Sequence, residues 1–253
     1  MTPTHSKVPE VALTFWVLKI AATTLGETGG DAVTMTLNLG YLIGTAIFAV
    51  AFLGLAAAQI RAKTFHAPLY WAVIVATTTV GTTMADFADR SLGIGYTGGA
   101  SILFALVLLS LLIWWRTEGS VSVNTITSPR AEAFYWVTIL FSNTLGTALG
   151  DWAADDGGLG FEGGALVFGA AIAVIAVAYF ATSLSRTLLF WAAFILTRPL
   201  GATVGDLLTK PAADGGLHLG RFASTGVIAV FIVACIVLLP QRAGSHPGQQ
   251  APT

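Results

Sequence analysis

Apolar runs long enough to cross a bilayer, about 20 residues, recur from one end of this chain to the other and come in two kinds. Four are almost uninterrupted: 41–60, 96–115, 161–183 and 222–239. Each follows a run of similar length that carries a polar stripe: FWVLKIAATTLGETGGD, YWAVIVATTTVGTTMAD, YWVTILFSNTLGTALGD and FWAAFILTRPLGATVGD. An uninterrupted run suits a helix that faces lipid, whereas a striped one needs a partner for its polar side. The pattern predicts an all-α membrane protein with eight transmembrane helices in four helical-hairpin repeats, at about 10–62, 66–117, 130–185 and 186–241. They form a single membrane domain over 1–253, with flexible tails at 1–8 and 242–253.

The striped runs share one register. Each opens on an aromatic pair: Phe15-Trp16, Tyr70-Trp71, Tyr135-Trp136 and Phe190-Trp191. A glycine stands ten residues after each Trp (Gly26, Gly81, Gly146, Gly201) and an aspartate five further on (Asp31, Asp86, Asp151, Asp206). A second glycine follows nine residues after the first three aspartates (Gly40, Gly95, Gly160), and after an insertion in the last copy (Gly220). The Trp-to-Trp spacings of 55, 65 and 55 residues make RTEGSVSVNTITSPRAE the long central connection between two pairs of repeats. Because each copy crosses the membrane twice, all four point the same way, and their pseudo-symmetry axis is expected along the membrane normal. The four Trp are expected to anchor at the interface or pack the bundle. The register glycine and Pro199 predict kinked or broken helices beside a cavity, with close helix packing as the competing explanation.

Composition agrees with lipid as the main solvent: 55% of residues are hydrophobic and 10% charged, with mean hydropathy +0.78. The N-terminal MTPTHSKVPE lacks the basic, apolar and small-residue segments of a signal peptide, so the first span is expected to act as the insertion signal. The lone Cys235 excludes a redox pair within the chain. Basic residues outside the spans fall mainly between repeats and near the termini, at Lys7, Arg61, Lys63, Arg116, Arg130, Arg186 and Arg242; only Arg90, Lys210 and Arg221 fall within repeats. By the positive-inside rule both termini are expected in the cytoplasm, with an acidic opposite face.

On a helical wheel, positions seven, eight, eleven and fifteen after each Trp share a sector of roughly 100°. They hold Thr23, Thr24, Glu27 and Asp31; Thr78, Thr79, Thr82 and Asp86; Asn143, Thr144, Thr147 and Asp151; and Arg198, Pro199, Ala202 and Asp206. Four such stripes are expected to converge on one centre. In one reading Asp31, Asp86, Asp151, Asp206 and Glu27 bind a cation or its coupling proton, with the four aspartates as ligands for a divalent metal of the Mg²⁺, Ca²⁺ or Mn²⁺ kind. Thr24, Thr79, Asn143 and Thr147 then line the path, and Arg198 tunes its charge by pairing with Glu27 or an aspartate. In the other reading the stripes are interhelical glue in a structural or sensory protein.

The aromatic-Trp, Gly, Asp register resembles a family of bacterial inner-membrane proteins built from four tandem repeats of unknown function, each with two transmembrane regions and a characteristic tryptophan. The resemblance runs from about residue 8 to 240 and implies a bacterial, eight-span inner-membrane protein. Glu27-Thr28-Gly29-Gly30-Asp31 is also loosely similar to the Glu-x-Gly-Asp signatures of manganese and calcium exchangers, with one extra glycine and no glutamate in the other copies. Enzymatic motifs are missing: His5 and His246 are terminal, and His66 and His218 fall in loops. With a net charge of −1 and no basic stripe, nucleic acid is excluded as a partner. The expected partners are the bilayer and a small cation, with self-association left open. No cofactor is expected to be required, and a bound divalent cation belongs to the first reading alone.

Overall fold

The computed structural model describes residues 6–244; residues 1–5 and 245–253, with His5 and His246 and most of the two tails, lie outside the described residues. Among the described residues there are eight α-helices and no strand. They are α1 Leu13–Asp31, α2 Tyr41–Arg61, α3 Ala67–Asp86, α4 Tyr96–Glu118, α5 Pro129–Ala154, α6 Gly160–Ala181, α7 Arg186–Thr209 and α8 Arg221–Leu238. Five of these, α2, α4, α6, α7 and α8, are long and apolar enough to cross a membrane. The other three, of 19, 20 and 26 residues, have the length but carry the polar stripes and their charges.

The striped helices α1, α3, α5 and α7 form a closed ring, each packed against two neighbours, with α7 returning to α1. The plain helices lie outside it and expose apolar side chains such as Val50, Leu166, Phe180 and Val230. Their main partners correct the expectation of packed hairpins. Helix α2 lies on α3, α4 on α5, α6 on α7 and α8 on α1, so each outer helix packs chiefly on the inner helix of the following repeat. The connectors account for this shift. After α1 and α3 the chain widens into a π-helical turn, at Ala32–Thr36 and Phe87–Ser91. It then passes through Gly40 and Gly95 at φ 77° and 75°, a left-handed conformation that favours glycine and redirects the chain toward the next inner helix.

Inner helices meet at the register glycines. A Cβ on Gly26 would stand 2.9 Å from the Thr78 carbonyl carbon, one on Gly81 3.0 Å from that of Asn143, and one on Gly201 2.8 Å from that of Thr23. At Gly146 the neighbour is Pro199, whose Cδ would be 2.9 Å away. Each contact joins position ten of one copy to position seven or eight of the next, and the fourth copy meets the first. The glycines therefore serve close packing: α1 and α7 continue as helices through Gly26 and Pro199, which corrects the expectation of broken helices.

One end of the ring is closed by aromatic rings in the same cyclic order. Phe15 meets Trp71 at 5.6 Å between centroids, Tyr70 meets Trp136 at 5.6 Å, Tyr135 meets Trp191 at 6.3 Å, and Phe190 meets Trp16 at 5.7 Å. Trp71, Trp136 and Trp191 are buried, so of the two roles expected for the register tryptophans they take packing rather than an interfacial belt. Over this collar the Trp71 indole donates to Gln241 Oε1 (3.2 Å) and the Trp191 indole to the Val121 carbonyl (2.9 Å). The segments flanking the helices are held here too. Ser6 N–H donates to the Gly244 carbonyl at 3.0 Å, and Gly244 N–H to the Val8 carbonyl at 2.8 Å. Lys7 Nζ caps the end of α2 at the Gln59, Ile60 and Ala62 carbonyls and pairs with Glu132 at 2.5 Å. Ser6, Val8 and Gly244, within the stretches expected as tails, are thus buried at this end of the ring.

Candidate functional site

The polar stripes converge on the ring axis and stack in layers four residues, about 6 Å, apart. Next to the aromatic collar, three residues after each Trp, lie Lys19, Ile74, Ile139 and Phe194, all fully buried. Lys19 Nζ donates to Asn143 Oδ1 at 3.1 Å and stands 4.1 Å from the centre of the Phe194 ring. In the layer at position seven, Thr23 and Thr78 hydroxyls donate across the helix contacts to the Thr197 and Ala22 carbonyls, both at 3.1 Å. Asn143 does the same with its amide, reaching Thr77 Oγ1 at 2.9 Å. Arg198 has no room to follow this pattern, because its Cβ and Cγ already press on Gly146. Its guanidinium runs instead into the layer at position eleven.

There Arg198 Nη2 donates to Glu27 Oε2 at 2.8 Å, to Thr147 Oγ1 at 2.6 Å and to Thr82 Oγ1. Thr82 also donates to Glu27 Oε2 at 3.3 Å. One side chain thus spans three of the four position-eleven residues and fills the axis. Arg198, expected to pair with Glu27 or a register aspartate, pairs with Glu27, and both residues are buried.

The aspartates follow at position fifteen, all at most 4% exposed. Basic side chains four residues beyond Asp86 and Asp206, and one from the start of α8, lie over them. Arg90 bridges Asp86 (2.9 Å) and Asp151 (3.4 Å). Lys210 bridges Asp206 and Asp31, both at 3.2 Å, and Arg221 Nε lies 3.5 Å from Asp31. Five axial carboxylates, Glu27 and the four aspartates, are therefore contacted by four basic groups, Arg90, Arg198, Lys210 and Arg221, while a fifth, Lys19, stands two layers from Glu27 on Asn143. Oxygens of Glu27, Asp31 and Asp206 lie within 4.8 Å of one another, close enough to share one metal ion. Asp31 Oδ1 is buried with no hydrogen-bond partner among the described residues.

Of the ten residues singled out from the sequence, Asn143, Thr147, Arg198, Glu27 and the four aspartates reach the axis or its acidic end. Thr24 and Thr79 are buried, but their hydroxyls turn back to the Ile20 and Val75 carbonyls of their own helices. Asp86 and Asp151 share Arg90, while Asp31 and Asp206 join Glu27. Three participants were passed over as loop charges: Arg90, Lys210 and Arg221. The spacing of four from Asp86 to Arg90 and from Asp206 to Lys210 was the available signal, since helical residues four apart share a face.

The family described as a Repeat of Unknown Function (DUF347) matches the chain at residues 14–65, 69–120, 134–185 and 189–241. The chain belongs to this family. Its four matched units in DUF347 coincide with the four copies of the aromatic-Trp, Gly, Asp register, so the repeat unit is one inner helix plus one outer helix. No curated protein and no solved structure matches the chain.

Beside the ring, in the connector after α3, Asp89 is buried against Gly99, and its Oδ1 has no partner among the described residues. Burial pushes its carboxyl up to about 6, with Arg90 pulling the other way. A carboxyl raised in the folded state is held there preferentially in its protonated form, so folding loses stability as pH rises from the ordinary carboxylate range through about 6. Asp89→Asn is expected to be more stable than the native protein at pH 7.5 and level with it near pH 4, in thermal unfolding across that range.

Proposed function

We propose that this protein is a carrier for a small divalent cation of the Mg²⁺, Ca²⁺ or Mn²⁺ class, with Glu27, Asp31 and Asp206 as the ion's seat. The observation that carries the reading is that their oxygens lie within 4.8 Å of one another, while Asp31 Oδ1 is buried without a hydrogen-bond partner among the described residues. Hard divalent cations take carboxylate oxygens in such groups. Stability alone is a poor reason for ten axial ionisable groups. Apolar residues of similar volume often replace buried ion pairs at no loss, whereas intramembrane charges commonly mark ion pathways. An axis filled by Arg198, Lys19 and the aromatic collar favours an occluded carrier over an open channel.

In this reading the carrier lies in a bacterial inner membrane, as the resemblance to bacterial inner-membrane proteins implies, with eight spans and all four repeats pointing the same way. Two features support the topology: α1, α3 and α5 form one ring with α7, which is itself apolar enough to cross, and the interrepeat basic residues argue for cytoplasmic termini. A second reading, a structural membrane protein, draws on the fact that each register aspartate already has a basic partner.

Thermal stability in detergent separates the two. A ligand at a hundred times its Kd stabilises by about 2.7 kcal/mol, so one of Mn²⁺, Mg²⁺ or Ca²⁺ is expected to raise the melting temperature of the native protein but not of Asp31→Asn. No response to any of the three, together with no ion flux into proteoliposomes, would establish the structural reading.

A further inference from the structure

The fourth copy departs from the register by an insertion between Asp206 and Gly220, and the two basic residues that bracket this segment, Lys210 and Arg221, both reach the same oxygen, Asp31 Oδ2. The segment folds back on the end of α7: Leu217 N–H donates to the Leu207 carbonyl at 2.6 Å, Leu219 N–H to that of Leu208 at 2.8 Å, and His218 N–H to that of Lys210 at 3.0 Å. Gly216 lies so close to Lys210 that a Cβ there would stand 2.6 Å from its carbonyl carbon. The loop thus holds the Lys210 backbone at the end of α7, with its side chain on the carboxylates.

Lys210 Nζ sits 3.2 Å from both Asp31 and Asp206, two of the three residues of the proposed ion seat. Its side chain is 13% exposed and that of Arg221 is 23% exposed, whereas that of Arg198 is fully buried. The two outer cations are therefore partly open at the acidic end of the ring, whereas Arg198 is enclosed. Together they carry two positive charges, so one divalent ion replaces both without changing the net charge of the site. A monovalent ion would leave one carboxylate charge uncompensated in a buried place, which is costly.

We propose that Lys210 is a tethered ammonium that occupies the ion seat between Asp31 and Asp206 and yields it, together with Arg221, to an incoming divalent cation. This rests on the carrier reading above and adds to it a specificity-determining residue and an internal competitor. In this arrangement the site never stands empty of positive charge between turnovers, and its affinity is set by how often the lysine is seated. A competitor seated in nine molecules out of ten lowers apparent affinity about tenfold.

The test is a Mn²⁺ titration of the full-length protein in detergent, followed by thermal stability. Lys210→Met and Lys210→Gln are both made, so that either can be read if the other fails to fold. Both are expected to bind Mn²⁺ about tenfold more tightly than the native protein, and Lys210→Arg is expected to stay near native affinity. Native or weaker affinity in Lys210→Met and Lys210→Gln, with binding still abolished by Asp31→Asn, would leave the ion seat standing and overturn the tether. Absence of Mn²⁺ binding in the native protein and in every Lys210 variant would overturn the seat and the tether together.

Discussion

Replacing Arg198 with methionine is expected to lower the unfolding free energy in detergent by about 3–5 kcal/mol, the range for removing one partner of a buried ion pair. The arginine is fully enclosed, and a single nitrogen, Nη2, holds Glu27, Thr82 and Thr147 from three different helices. Without it the Glu27 carboxylate stays at 3% exposure, with Thr82 as its one remaining side-chain donor among the described residues. The cost arises mainly from that stranded charge. Glu27→Gln combined with Arg198→Met is therefore expected to recover most of the loss, because an amide can accept from Thr82 without carrying charge. The measurement is a double-mutant cycle by thermal or denaturant unfolding. Equal instability of the single arginine variant and the double variant would show that the guanidinium stabilises the ring through Thr147 and Thr82 rather than through the ion pair.

The same residue shows how far the sequence could be read. Arg198 stands out because it breaks a column of threonine and asparagine at position seven, and a charge on that stripe needs a carboxylate on another. Glu27 was the one acidic residue at position eleven, but the aspartates at position fifteen were equally open as partners, and the choice of Glu27 came from the structure. The four-copy register also placed the aspartates in one layer, since equivalent positions in equivalent helices converge when the copies ring an axis.

Closure of the ring and the swap of outer helices were less legible, for a physical reason. All four copies present nearly the same surfaces, so an outer helix can cover the inner helix of its own repeat or of the next one with similar apolar burial. Connector geometry decides between them, and this rests on backbone angles at Gly40 and Gly95 rather than on a hydrophobic pattern. Arg90, Lys210 and Arg221 were obscure because they lie outside the apolar runs. Their long stems carry the charges back over the aspartates, so a residue outside the apolar run can still belong to the axis.

Gly201→Val is expected to destabilise the bundle more than any substitution of similar size on its outer face. Gly201 is where the fourth copy meets the first, and a Cβ there would stand 2.8 Å from the Thr23 backbone carbon. Backbone cannot step aside as the end of a flexible side chain can, so the new atoms must push α7 away from α1. That separation also pulls Thr23 Oγ1 from the Thr197 carbonyl and moves Arg198, three residues earlier on α7, relative to Glu27 on α1. Overpacking at a tight site costs about 1–3 kcal/mol on its own, and the coupled loss at the ion pair adds to it. Gly226→Val on α8, where a Cβ would meet nothing within 4 Å, is the control and is expected to leave the melting temperature within a degree or two. Thermal unfolding of the two variants in one detergent decides the matter. Equal melting temperatures would mean that the four inner helices do not depend on α7 closing against α1, and that the cyclic contact is incidental to stability.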